Sequence, residues 1–213
     1  MRLAQSLAGL FRSFRLLPPA PEGPAQVAFW QREALLAFLE DHLPPRPTIL
    51  DTLPGEFTVG LLRLDPRELL VVGPEPEVWE AIHEHCARQG VCRRPLQMYD
   101  DAPRWVLPRL TAKVRERIGR FDLVRLGQCE AWPSAFLELA HAGALLRRGG
   151  FLVVDGLSPR TGAHRRAEPP GYRLVLEFGS GLVFEKISHY SSLHDWRRPP
   201  KDPQLSAQPV LPV

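Results

Sequence analysis

Ala144-Leu145-Leu146-Arg147-Arg148-Gly149-Gly150-Phe151-Leu152-Val153-Val154-Asp155 is the stretch that decides the fold. An amphipathic segment ends there, and an apolar run, Phe151 to Val154, follows and closes on an acid. Four consecutive apolar residues bury both faces of a strand, as in a parallel sheet covered by helices on both sides. Gly149 stands where a helix would end, at the left-handed position that follows a last turn. Phe121-Asp122-Leu123-Val124 repeats the apolar run one unit earlier, and the Leu-Val-Val of Glu68 to Gly73 repeats it again.

Working outward, the unit recurs from Thr48 as an alternation of strands and helices. Strands are expected over Thr48 to Thr52, Glu68 to Gly73, Pro95 to Tyr99, Phe121 to Leu126 and Phe151 to Asp155. Helices are expected near Glu56 to Leu64, Glu77 to Gln89, Arg104 to Ile118 and Ser134 to Arg147, with Gly90 and Gly119 at two of their ends. Tyr172 to Phe178 and Leu182 to Ser188 flank Gly179-Ser180-Gly181, a hairpin signal that breaks the rhythm. The expectation is an α/β fold: a three-layer, Rossmann-like, seven-stranded sheet, mostly parallel, with an antiparallel terminal hairpin.

Before residue 48 the spacing predicts two helices. Leu3, Leu7, Leu10, Phe11, Phe14 and Leu17 form an amphipathic one that ends at Pro18-Pro19; Val27, Trp30, Leu35, Phe38 and Leu39 form one from Pro24 to Leu43, stopped by Pro44-Pro45. Three regions follow: a helical extension over 1–47, the α/β domain over 48–190, and a Pro-rich tail over 191–213. The first helix suits packing on the domain or on a second copy of the chain, which makes a homo-oligomer through N-terminal helices an expectation.

With 213 residues and 44 % hydrophobic content the chain has enough apolar material for one core, which excludes disorder throughout. Its net charge of +3 gives no large field to steer it to nucleic acid or membrane. Cys86, Cys92 and Cys129 cannot close a set of disulfides and show no C-x-x-C spacing, so a reducing compartment is expected. No long apolar run suggests a membrane span, and the expected location is the cytoplasm. Paired arginines at 93–94, 147–148 and 197–198 are scattered without interleaved aromatics, which speaks against nucleic acid as partner. His83, His85 and Cys86 share one helix but lack further ligands, so a solvated face is the plainer reading than a metal site. Trp30, Trp79, Trp105 and Trp132 fall on predicted helices and suggest core or interface packing.

Five βα units closed by a hairpin resemble the class I S-adenosylmethionine-dependent methyltransferases, and the small-molecule O-methyltransferases most closely at Phe121 to Val124 and Ala144 to Asp155. The resemblance covers roughly Thr48 to Ser188. It implies S-adenosylmethionine as cofactor, held at the carboxyl ends of the first three strands. In Thr48-Ile49-Leu50-Asp51-Thr52-Leu53-Pro54-Gly55-Glu56-Phe57-Thr58, Asp51 and Gly55 match the acid and glycine-rich turn, while Leu53 and Phe57 stand where further glycines are usual. Glu75 matches the acid for the ribose, and Asp101 with Ala102 matches the acid and small residue beside adenine. Gly127-Gln128-Cys129 and Asp155-Gly156 lack the acids of the metal-dependent members, which implies no catalytic metal.

The resemblance further implies methyl transfer to a small-molecule acceptor, with alignment and exclusion of water as the chief demands. Glu130, Asp155 and His164 follow the fourth and fifth strands, where an acceptor would need a base, yet no catalytic residue is assignable. The connection Gly156 to Gly171 carries Arg160, His164, Arg165 and Arg166, which suits an anionic acceptor. The departures at Leu53, Pro54 and Phe57 leave a second reading open: a catalytically inactive, methyltransferase-like binding or assembly module.

Overall fold

The apolar runs of β1 (Thr48–Asp51), β2 (Glu68–Val72) and β4 (Phe121–Leu126) place side chains on both sides of the sheet, so both faces need helices. The computed structural model describes residues 24–113, 119–127, 134–155, 171–178 and 181–188 and has that arrangement. The other elements are α1 (Pro24–His42), α2 (Glu56–Arg63), α3 (Pro76–Gln89), β3 (Leu96–Tyr99), α4 (Pro103–Lys113), α5 (Ser134–Leu145), β5 (Leu146–Val154), β6 (Tyr172–Phe178) and β7 (Gly181–Lys186).

The seven strands lie in the order β3-β2-β1-β4-β5-β7-β6. Strands β1 to β5 are mutually parallel, and β7 runs antiparallel to both of its neighbours, β5 and β6. The chain therefore steps outward from β1 to β3, then returns to lay β4 on the other side of β1. That reversal opens a crevice above the carboxyl ends of β1 and β4, the place where open α/β sheets bind ligands.

Alternation along each strand divides the core in two. Ile49, Leu69, Val71, Leu123 and Val153 face one side, against Leu61 of α2, Ile82 of α3 and Leu35, Phe38 and Leu39 of α1. Leu50, Leu70, Val72, Val124 and Leu152 face the other, against Leu107 and Leu110 of α4 and Leu145 of α5. α1, from the stretch assigned to the N-terminal extension, shares this core, with Phe38 edge-on to Phe151 at 5.6 Å between ring centres.

The boundary between the helix and the strand around Arg147 changes, and with it the role of Gly149. The helix expected to reach Arg147 stops at Leu145, and the strand expected from Phe151 starts at Leu146. Gly149 consequently caps no helix; its φ of 75° lies inside β5, at an irregularity where the β4 partner moves from Phe121↔Leu146 to Leu123↔Phe151. Gly150 in the same bulge lets Asp122 O approach a position where a side chain would lie 2.9 Å away. Trp105 does not join the core: it is 55 % exposed, with the Arg104 guanidinium 5.5 Å from its ring centre. Trp79 is buried as expected, and Gly90 ends α3 in the left-handed conformation. The amphipathic stretch at 3–17, Trp132, Glu130, the arginine-rich connection with His164, and the tail lie outside the described residues. Among described residues no helix is long and apolar enough to cross a membrane.

Candidate functional site

β1 ends on Asp51, and the chain must turn through Thr52-Leu53-Pro54-Gly55 to enter α2. Asp51 is fully buried, and its oxygens hold that turn: Leu53 N–H donates to Oδ1 at 3.0 Å and the Thr58 hydroxyl to Oδ2 at 2.8 Å. Thr58 Oγ1 in turn accepts the Gly55 N–H at 3.0 Å, so the acid ties the first turn of α2 back to β1. Thr52 prolongs the pairing to β4, donating its N–H to Arg125 O at 2.9 Å.

Arg125, near the end of β4, joins three strands. Its Nη1 donates to Asp51 Oδ1 at 3.2 Å and to Leu53 O at 2.9 Å, and its Nη2 donates to Asp155 Oδ2, just beyond β5, at 3.1 Å. Its guanidinium lies 4.5 Å from the centre of the Phe57 ring. The side chain is 7 % exposed, and its Nε is buried without a hydrogen-bond partner. Burial pushes the Asp51 carboxyl up from its ordinary range, while the charge of Arg125 works in the opposite direction. Taken as ionised, Asp51, Arg125 and Asp155 sum to one negative charge.

The turn carries side chains where the resemblance has glycines, and neighbouring glycines make room for them. Leu53 lies against Gly127 at the end of β4, its Cδ1 3.0 Å from where a methyl group there would be. The Pro54 ring lies against Gly73 after β2, with Cγ 2.6 Å from the corresponding point. Gly55 itself has an extended backbone, φ 162°, which any residue adopts; a methyl group there would meet nothing within 4 Å. That open space is a cavity of about 270 Å³, bounded by the turn from Leu53 to Phe57, by Arg125 and Asp155, by Phe178 of β6, and by Arg32 and Leu35 of α1.

Of the residues expected to hold a cofactor, Gly55 borders this cavity and Asp51 sits behind it with no exposed surface. Glu75 is exposed at the entry to α3, its Oε2 leaning toward Gly73. Asp101 accepts the Ala102 N–H at 2.9 Å and an Arg109 N–H at 3.0 Å, and the Ala102 carbonyl accepts the N–H of Trp105 at the start of α4. Glu75, Asp101 and Ala102 therefore follow β2 and β3, one and two strand spacings from β1, or roughly 5 and 10 Å. Of the possible bases, Asp155 reaches the cavity with its side chain 30 % exposed. The sequence reading missed Arg125. Its signal was a basic residue at an inward position of an apolar strand, where a charge must be paired to persist. His83 contacts Arg93, and Cys86 is fully buried on the core side of α3.

No protein-family model matches the chain, and no curated protein matches it. Solved structures do. An rRNA methylase from Streptococcus thermophilus superimposes with a TM-score of 0.54 at 14 % identity, over 73 % of this chain and 95 % of its own. A methyltransferase from Geobacter sulfurreducens gives 0.52 at 15 % identity, over 88 % and 97 %. A Streptococcus mutans protein assigned to the methyltransferases, determined in complex with SAH, gives 0.53 at 13 % identity, over 73 % and 97 %. At such identities the likeness is one of fold: the chain has the fold of the class I S-adenosylmethionine-dependent methyltransferases.

Proposed function

We propose that the chain is an S-adenosylmethionine-dependent methyltransferase acting on a small acceptor without a catalytic metal. The observation that carries the reading is the cavity of about 270 Å³ beside Gly55 at the switch between β1 and β4, with an exposed acid, Glu75, after β2 and a half-buried one, Asp101, after β3. The donor set fits the cofactor. Glu75 is free on the surface to accept from a ribose diol, Asp101 and Ala102 flank the place for adenine, and the open face of Gly55 admits the amino acid part. When bound there, S-adenosylmethionine supplies an electrophilic methyl group.

The remaining work falls to the chain. Asp51 fixes the turn, Arg125 holds Asp155 in place, and Leu53, Phe57 and Phe178 give the cavity its apolar sides. Asp155 is the carboxylate able to take a proton from an acceptor. No metal enters this reading, because the places after β4 and β5 read Gly127-Gln128-Cys129 and Asp155-Gly156 and offer a single carboxylate. The anionic character expected of the acceptor rested on Arg160, Arg165 and Arg166, so a small acceptor is as far as the cavity itself argues. One observation favours the second reading, a binding or assembly module without catalysis: Leu53 and Pro54 pack into the turn where glycines would admit a ligand.

Calorimetric titration with S-adenosylmethionine and S-adenosylhomocysteine separates the two. Micromolar binding that disappears in Glu75→Ala and Asp101→Ala, both folded by circular dichroism, is the expected result. Absence of binding at millimolar ligand, with the parent folded, would sink the enzymatic reading and leave the module.

A further inference from the structure

We infer that the free edge of the sheet, strand β3, pairs antiparallel with β3 of a second copy of the chain across a two-fold axis. β3 is the outermost strand beside β2, and its residues are half-buried or exposed, with Met98 and Tyr99 at 40 % and 37 % exposure. Leu69 N–H donates to Pro95 O at 2.9 Å and Gly73 N–H to Tyr99 O at 3.1 Å, so Pro95, Gln97 and Tyr99 turn their backbone groups toward β2. Alternation then points the carbonyls of Leu96 and Met98 and the Met98 N–H outward, while the Leu96 N–H is given to Arg93 O at 3.0 Å. Such an edge is a template for another strand. The opposite edge, β6, shifts in register between Leu174 and Leu176, and an irregularity there spoils straight pairing.

The flanking charges choose the occupant and the register. The segment reads Arg93-Arg94-Pro95-Leu96-Gln97-Met98-Tyr99-Asp100-Asp101, with two cations at its entry and two acids at its exit. Run antiparallel, two copies bring the arginines of each to the acids of the other, whereas a parallel copy would set like charges side by side. A two-fold axis normal to the sheet keeps every side chain on its own face, so opposed residues differ by an even number of positions. Centring on Gln97 obeys that rule: Leu96 lies opposite Met98, each Met98 N–H donates to the Leu96 carbonyl of the other copy, and Arg94 is brought to Asp100. Centring on Met98 obeys it too, but sets Leu96 against Asp100. Leu96 and Met98 pair with Leu69 and Val71 and share their face, so the first register continues that apolar layer across the axis. Arg94 and Asp100 are exposed and have no ion-pair partner among the described residues, which leaves both available. The contact is separate from the one expected of the helix at 3–17.

The test is sedimentation velocity of the full chain as a function of concentration. A four-residue edge is a small contact, so a dimer that forms on the order of 100 µM is expected. Arg94→Asp and Asp100→Arg, each folded by circular dichroism, should each weaken it at least about tenfold, since either change puts two like-charge pairs into the symmetric contact. An equimolar mixture of the two variants should recover the dimer, because every pair across the mixed contact is then of opposite sign; a folding defect in either variant would not be mended by mixing. Gln97→Cys, with Cys92 and Cys129 changed to Ser, should form an intermolecular disulfide on oxidation, as facing Cα atoms in such a non-hydrogen-bonded pair lie about 4.5 Å apart. Met98→Cys in the same background, with Leu96 opposite, should not. A parent that stays monomeric well above that concentration, its edge left to solvent or to a segment of its own chain, would overturn the inference. So would a dimer undiminished in both charge variants, or a mixture of them that stays monomeric.

Discussion

Replacing Arg125 with Met tests the account of the crevice most directly. Methionine keeps much of the volume over Phe57 but removes the charge that faces Asp51, a carboxylate with no exposed surface. Asp51 retains the Leu53 N–H and the Thr58 hydroxyl, two hydrogen bonds that do not neutralise it. Removing one member of a buried ion pair costs about 3–5 kcal/mol. At ~2–4 °C per kcal/mol for a chain of this size, the melting temperature should fall by roughly 6–20 °C. The sign of the pH dependence follows from Asp51. Its folded pKa already lies above 3.8 through burial, and loss of Arg125 removes an influence that lowers it. A carboxyl with a raised folded pKa contributes stability while protonated, below its unfolded pKa, and that contribution is lost as pH rises through the folded value. The gap between parent and Arg125→Met should therefore be smallest near pH 4 and widen toward neutrality, and Asp51→Asn combined with Arg125→Met should recover part of it. Urea unfolding followed by circular dichroism across that range measures the gap. A loss below about 1 kcal/mol at neutral pH, or a gap that is flat with pH, would refute the argument that Asp51 depends on Arg125.

Two further substitutions probe the frame around the crevice. Gly150→Ala places a methyl group 2.9 Å from Asp122 O and 3.1 Å from Arg147 O, both backbone atoms that cannot swing aside, so a loss of about 1–3 kcal/mol is expected in urea unfolding, and a neutral result would contradict the close approach in the β5 bulge. Lys186 is buried and donates from Nζ to Gly143 O at 2.6 Å and Leu146 O at 2.8 Å, so Lys186→Met should lose about 1–3 kcal/mol by orphaning carbonyls at the junction of α5 and β5. Burial lowers the lysine's folded pKa below 10.5, so the parent gains stability as pH rises toward the unfolded value and the deficit of Lys186→Met should widen between neutral and mildly alkaline pH; a deficit that shrinks would count against that burial.

Much of the fold was legible because burial on both faces leaves a plain mark. Leu-Val-Val in β2 and Phe-Leu-Val-Val in β5 cannot be hidden on one side only, and seven strands with a terminal antiparallel pair followed. The end of α5 was misread for a local reason: Arg147 and Arg148 before Gly149 look like a helix terminus, but pairing with β4 draws the chain into a bulged strand two residues after Ala144. Gly55, Glu75, Asp101 and Ala102, the residues proposed to hold the cofactor, were placed after the strands by position alone. Their neighbours were not, because the fillers of the turn, Leu53 and Pro54, settle against Gly127 and Gly73, residues 74 and 19 positions away.

The sequence by itself determined the strands, the helices and the order of acids along the chain, since these depend on periodicity and on residues close in sequence. The tertiary structure decided what the acids face. Asp51, Arg125 and Asp155 come from three separate units and meet only because the strand order reverses at β1, and there the cost of burying charge makes them partners of one another.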